Sequence, residues 1–305
     1  MTTEQLLKNL QVPKGKIDVI LDTDAYNEVD DQFAISYMLK SPEKLNVKAL
    51  YAAPFFNSRS SGPANGMEKS YNEILKLLDL GKFDFDKELV FKGSTDYLPD
   101  ENTPVISDAA KDLAERAAQY SPEKPLYVVA IGAITNVASA LLLRPEIKDN
   151  IVIVWLGGNA LHCCHNAEFN AMQDVAAARI VFGCGAPLVQ LPCCGVVSAF
   201  TTTKYELEHW LGSKNELCTY LKDTVITEAE SYAKGTAWSR VIWDVTAVGW
   251  LLNDDDCFMS WHLEHSPIPQ YDNTWAFDKR RHFIAYVNEI HRDALFTDLF
   301  TKLIK

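Results

Sequence analysis

Positive charge is scarce in this chain. Its 305 residues carry 29 Lys and Arg against 41 Asp and Glu, a formal net charge of −12. Nothing supplies the basic stripe that neutralises a phosphate backbone, so broad nucleic-acid binding is excluded. No apolar run reaches the ~20 residues of a membrane span, and the N-terminal MTTEQLLKNLQVPKGK lacks the apolar centre of a signal peptide. Zinc or redox spacing of the C-x-x-C kind is missing too. Seven Cys occur, and the pairs Cys163-Cys164 and Cys193-Cys194 are adjacent, which makes them poor joint ligands for one metal. These absences predict a reduced, cytoplasmic protein with inert thiols and no membrane or nucleic-acid partner. Linkers, repeats and low-complexity stretches are absent as well, which favours a single domain over 1–305.

What is present is an alternation. Apolar, strand-like runs at 16–22, 46–54, 88–93, 125–132, 150–158 and 186–193 are separated by helix-like segments at 30–40, 65–81, 107–120, 135–143 and 173–183. Strands with so little polar alternation are buried on both sides. The pattern predicts an α/β fold: an open, mostly parallel sheet with helices on both faces. A site then lies beyond the carboxyl ends of the strands. The region 203–260 reads as a helical cap or insertion, 281–287 as one more strand and 292–304 as a final helix.

Negative charge concentrates where such a site is expected. VILDTDAYNEVDD places Asp22, Asp24, Asp30 and Asp31 at a strand end and the start of the next helix. Helix capping accounts for Asp30 or Asp31 alone. It does not account for four carboxylates, which repel one another unless a positive charge sits among them. An oxygen-only set without His favours calcium or magnesium over zinc. A cation there makes water easier to deprotonate, and a neighbouring Asp can take the proton. A phosphatase is disfavoured, because no Lys or Arg occurs in 20–35 to meet a transferred phosphate.

At this point the sequence resembles the nucleoside hydrolase family of the inosine-uridine preferring type. DTDAYNEVDD is similar to its D-x-D…D-D opening. VVAIGAITNVASAL (128–141), IVIVWLGGNA (151–160), AEFNAMQDVAAARIVF (167–182) and VIWDVTAVGWLL (241–252) resemble its later segments in the same order. The resemblance implies the nucleoside hydrolase fold, with its Rossmann-like sheet. It also implies calcium-dependent hydrolysis of a ribonucleoside to ribose and free base, in a homodimer or homotetramer. Residue by residue, it implies that Asp24 binds Ca2+ and is general base to water, with Asp31, Asp244 and the Thr135 carbonyl as further ligands. Asp30, Asn57, Glu168 and Asn170 then hold the ribose. Each of these has a plainer alternative: Asp244 and Thr135 as helix caps, Glu168 and Asn170 as polar residues that open a helix, and Asn57 as a loop residue.

Two departures from the family pattern stand out. The loop between the acidic pairs is two residues longer and has no Gly, so Asn27 or Glu28 can enter the site. Where many members have a His before the C-terminal Asp, this chain has Trp243, which cannot donate a proton to a leaving base but can stack on it. His162 and His165 are the candidates for a replacement acid. Loss of turnover, leaving a ribose- or nucleoside-binding protein on the same scaffold, is the alternative reading of both departures.

Overall fold

Along the first strand, Val19 and Leu21 join one apolar core while Ile20 joins another. The same two-residue alternation recurs in Val129 against Val128, and in Val152 and Val154 against Ile151 and Ile153. Strands whose successive side chains are all apolar need cover on both faces, and two separate cores provide it. The computed structural model describes residues 1–305.

Eight strands form one sheet: β1 Ile17–Thr23, β2 Leu45–Ala52, β3 Val90–Lys92, β4 Leu126–Ala130, β5 Ile151–Leu156, β6 Leu188–Leu191, β7 Met259–His265 and β8 Phe283–Ile290. Their order across the sheet is β3-β2-β1-β4-β5-β6-β8-β7. All neighbours are parallel except β7, which pairs antiparallel with β8 at the edge.

The helices are α1 Thr3–Asn9, α2 Asp31–Leu39, α3 Pro63–Leu80, α4 Asp108–Ala117, α5 Thr135–Leu143, α6 Phe169–Gln173, α7 Val175–Gly183, α8 Lys204–Leu211, α9 Glu216–Ala233, α10 Val245–Leu251 and α11 Arg292–Leu303. Residues of α2, α3, α8, α9, α10 and α11 build the larger core, and those of α4, α5 and α7 the smaller one. The expected mostly parallel α/β sheet is therefore present.

Two elements depart from the sequence expectation. The edge strand β7 was not foreseen, because SWHLEH mixes polar and apolar residues as a half-exposed strand does. Within 203–260, α8 and α9 are partly exposed, but every residue of α10 is buried, so this last helix belongs to the core.

The strand order reverses beside β1, which has β2 on one side and β4 on the other. A crevice opens at such a reversal, beyond the carboxyl ends of the two strands. Asp22, Asp24 and Ile131 stand at those ends. No helix is long and apolar enough to cross a membrane.

Candidate active site

A cavity of about 220 Å3 sits at this crevice. β1 brings Asp24 to it, the following loop Asn27 and Glu28, and the start of α2 Asp30 and Asp31. β4 contributes Ile131 at its end, and β5 contributes Leu156 and, just beyond, Asn159. Glu168, Phe169 and Asn170 come from the start of α6, Cys193 and Cys194 from the turn after β6, and Trp243 and Asp244 from the start of α10.

The aspartates are buried together. Asp22, Asp24, Asp30, Asp31 and Asp244 are all at most 4% exposed, so none is a solvated surface charge. Carboxylate oxygens of Asp30, Asp31 and Asp244 come within 4.8 Å of one another. Burial pushes the Asp31 carboxyl up to about 7. Burial first, then the charges of Asp31 and Asp30, hold Asp24 well above the usual carboxylate range. Asp244 is raised by burial and then by Asp30 and Asp31. Asp30 is raised by burial and then by Glu28 and Asp31. Such mutual repulsion is the signature of a site that a cation relieves.

Capping does not explain the cluster. Asp30 and Asp244 stand at the N-caps of α2 and α10, yet neither side chain accepts a capping hydrogen bond. Asp24 Oδ2 is buried with no hydrogen-bond partner. An orphaned carboxylate oxygen beside three clustered carboxylates suits a hard divalent ion with oxygen ligands.

Asp22 has a different role. Its Oδ1 accepts from Asn136 Nδ2 at 2.7 Å, and Asn136 Oδ1 in turn accepts from Ser94 N at 2.7 Å. Asp22 does not line the cavity. It fastens the end of β1 to the start of α5 and to the loop after β3.

Glu168 and Asn170 line the cavity together. Glu168 accepts from Gly158 N at 2.8 Å, Asn170 N at 2.9 Å and Ala171 N at 3.0 Å, so it does cap α6. Gly158 reaches this position at φ +76°, and a Cβ there would lie 2.8 Å from Asn166 Oδ1. Burial raises Glu168, while these backbone N–H groups pull it back down. Asn170 Nδ2 donates to the Leu156 carbonyl at 3.0 Å. That contact turns the amide group toward the strand ends.

Four sequence expectations meet a different placement. Thr135 lies outside the cavity lining, and its hydroxyl donates to Asp174 Oδ2 at 2.7 Å. Ile131, four residues earlier, is the residue of that turn that lines the cavity. Asn57 also lies outside. Its Nδ2 donates to Asn27 Oδ1 at 2.6 Å, so it supports Asn27, which does line the cavity. His162 and His165 are both exposed and away from the lining, and His165 Nδ1 accepts from Ala167 N at 3.3 Å. The segment between β5 and α6 carries them outward, over the mouth of the turn after β6, where a Cβ on Gly195 would meet the His162 ring at 3.2 Å.

Other lining residues were missed by the sequence reading. Cys193, Cys194 and Asn159 carry no local motif; only the parallel sheet shows that the ends of β5 and β6 share the crevice. Glu28 was foreseen as an entrant of the longer loop, but not its partner: Arg240 Nη2 donates to Glu28 Oε2 at 2.6 Å. Trp243 lines the cavity as one of its two aromatic residues, with Phe169.

The chain is similar to known proteins. A uridine nucleosidase of Arabidopsis thaliana, named as probable, is 28% identical over 223 residues, covering 67% of each chain. A pyrimidine-specific ribonucleoside hydrolase of Citrobacter koseri is 26% identical over 264 residues, covering 78% of this chain and 80% of its own. Among solved structures, a purine-preferring ribonucleoside hydrolase from Gardnerella vaginalis superposes with a TM-score of 0.75 at 21% identity, covering 94% and 98% of the two chains. A plant nucleoside hydrolase does so with a TM-score of 0.72 at 20% identity, covering 94% and 99%. These likenesses to solved structures speak for the fold. Residues 19–294 match the family described as inosine-uridine preferring nucleoside hydrolase, and the chain belongs to that family.

Proposed function

We propose that this protein hydrolyses the N-glycosidic bond of ribonucleosides to ribose and free base, with Asp24 as general base. The buried carboxylate cluster of Asp30, Asp31 and Asp244 at the strand reversal, with the unpartnered Asp24 Oδ2 beside it, carries the reading. Asp24, Asp31 and Asp244 would hold a divalent cation, Ca2+ by the chemistry of an all-oxygen set, with Ile131 at the end of β4 in the place given to Thr135. Bound there, such a cation would offset the repulsion among the carboxylates and would make water a better nucleophile near neutral pH.

This chain's own groups do the rest. Asp24 takes the proton of the attacking water, and Asp30, Glu168, Asn170 and Asn27 receive the ribose hydroxyls. Breaking the bond gives the sugar an oxocarbenium-like charge, which the surrounding carboxylates stabilise. Fixing the ribose converts binding into alignment of C1′ with the water beside Asp24.

Base and ribose release across a panel of ribonucleosides, with calcium and with chelator, test this reading. Release that needs the cation is the expected result. Nucleoside binding by calorimetry with no ribose formed would favour the turnover-deficient binding protein instead.

A further inference from the structure

The proposed reaction leaves one proton to be found. When the C1′–N bond of a neutral nucleoside breaks, the bonding pair stays on the base. Hypoxanthine or uracil then departs as an anion unless an acid protonates it.

The cavity holds no such acid. No lining residue is His, Lys, Arg or Tyr. Asp24 serves the water, Asp31 and Asp244 the cation and Asp30 the ribose. Glu168 is an acceptor for three backbone N–H groups. Glu28 faces Arg240. The Trp243 indole does not give up its proton. The Cys193 thiol is buried beside the Glu168 carboxylate.

The wall is also acidic in make-up, and its carboxyls ionise as the cation binds. Six of the lining residues are carboxylic acids and none is a cation. Arg240, behind Glu28, has its charge shared between Glu28 at 2.6 Å and Glu228 at 3.7 Å, and its Nε is buried without a partner. A dication and Arg240 offset only part of this charge. Trp243 and Phe169, the two aromatic residues of the lining, would favour a positively charged ring by cation–π attraction.

We infer that the preferred substrate is a ribonucleoside whose base already carries positive charge at the glycosidic bond, such as an N-ribosylpyridinium or an N7-alkylated purine ribonucleoside. The inference rests on the hydrolase reading above. For such a substrate the bonding pair neutralises the ring as C1′–N breaks, and the base leaves uncharged. The water oxygen joins C1′ and its proton passes to Asp24, so no acid is required. A 5′-phosphate would add negative charge against a wall with no basic partner, which restricts the site to nucleosides.

The test compares kcat/KM in calcium buffer for N-ribosylnicotinamide, 7-methylguanosine, guanosine, inosine, uridine and nicotinamide mononucleotide. The two cationic nucleosides are expected to exceed the three neutral ones by at least about 100-fold, the scale of an absent general acid. The mononucleotide is expected to fall at least about tenfold below its nucleoside, one charge–charge contact's worth. Inosine, guanosine or uridine cleaved as well as the cationic pair overturns the inference and leaves the hydrolase reading standing. No cleavage of any of the six overturns both.

Discussion

Arg240 Nη2 lies 2.6 Å from Glu28 Oε2 and joins two parts of the site that are far apart in sequence. Glu28 belongs to the lengthened loop between the paired aspartates. Arg240 lies just ahead of Trp243 and Asp244. Arg59, from the loop after β2, reaches Glu228 of α9 at 2.7 Å, and Arg240 approaches the same carboxylate at 3.7 Å. The extra residues of the loop are thus held by the helical segment over the cavity. The Arg240 side chain is 17% exposed and that of Glu28 40%, so screening limits the pair's worth. A double-mutant cycle with Glu28→Gln and Arg240→Met should give a coupling of about 1 kcal/mol in urea unfolding. A coupling of zero would show that the loop is held by other contacts.

Asn136 braces the acidic end of β1. It donates 2.7 Å to Asp22 Oδ1 and receives the Ser94 backbone N–H, all of it buried. Asn136→Ala removes one partner and leaves the others unsatisfied in the core, which costs about 2–3 kcal/mol. Urea denaturation measures it directly, and a change below about 0.5 kcal/mol, the scale of an ordinary surface substitution, would contradict the bracing role.

Acidity and the cation are linked. Burial pushes both Asp22 and Asp31 up to about 7, from an ordinary value of 3.8. A carboxyl that holds its proton more tightly folded than unfolded contributes stability below the unfolded value and loses it as pH rises toward 7. In chelator, the melting temperature should therefore fall as pH is raised through that window. A divalent cation prefers the ionised carboxylates, so its stabilisation should grow with pH, and binding should release protons. Calorimetry in chelator and in calcium reads both effects; a melting temperature that climbs across the window in chelator would refute the burial argument.

Trp243→His tests the missing acid by supplying one. An imidazole beside Asp244 should raise kcat for inosine by about tenfold or more, since general acids contribute about 10²–10⁴. The pH profile should gain a limb on the alkaline side where the imidazole loses its proton. The advantage of cationic nucleosides should narrow by the same factor.

The fold was legible because β1 to β6 are apolar on both faces and their helices are spaced regularly. The edge strand β7 was not, since an edge facing solvent carries Trp261, His262 and Glu264 without a clean period. The aspartates announced themselves by charge density at a strand end. Asn57 and Thr135 show where sequence reasoning runs out: a turn fixes which residues are near the site, but not which of them turns its side chain or carbonyl inward. Asn27 takes the cavity position in front of Asn57, and Ile131 the one ahead of Thr135. Cys193 and Asn159 needed the strand order before they could be placed at all.

The central claim is that Asp24 activates water for N-glycosidic hydrolysis. Ribose release by the wild-type protein and by Asp24→Asn, in saturating calcium and with folding checked by circular dichroism, tests it most directly. Folded protein whose kcat falls by about 10²–10⁴, the range for a lost general base, is the expected result. Ribose release at the wild-type rate from the folded variant would contradict it.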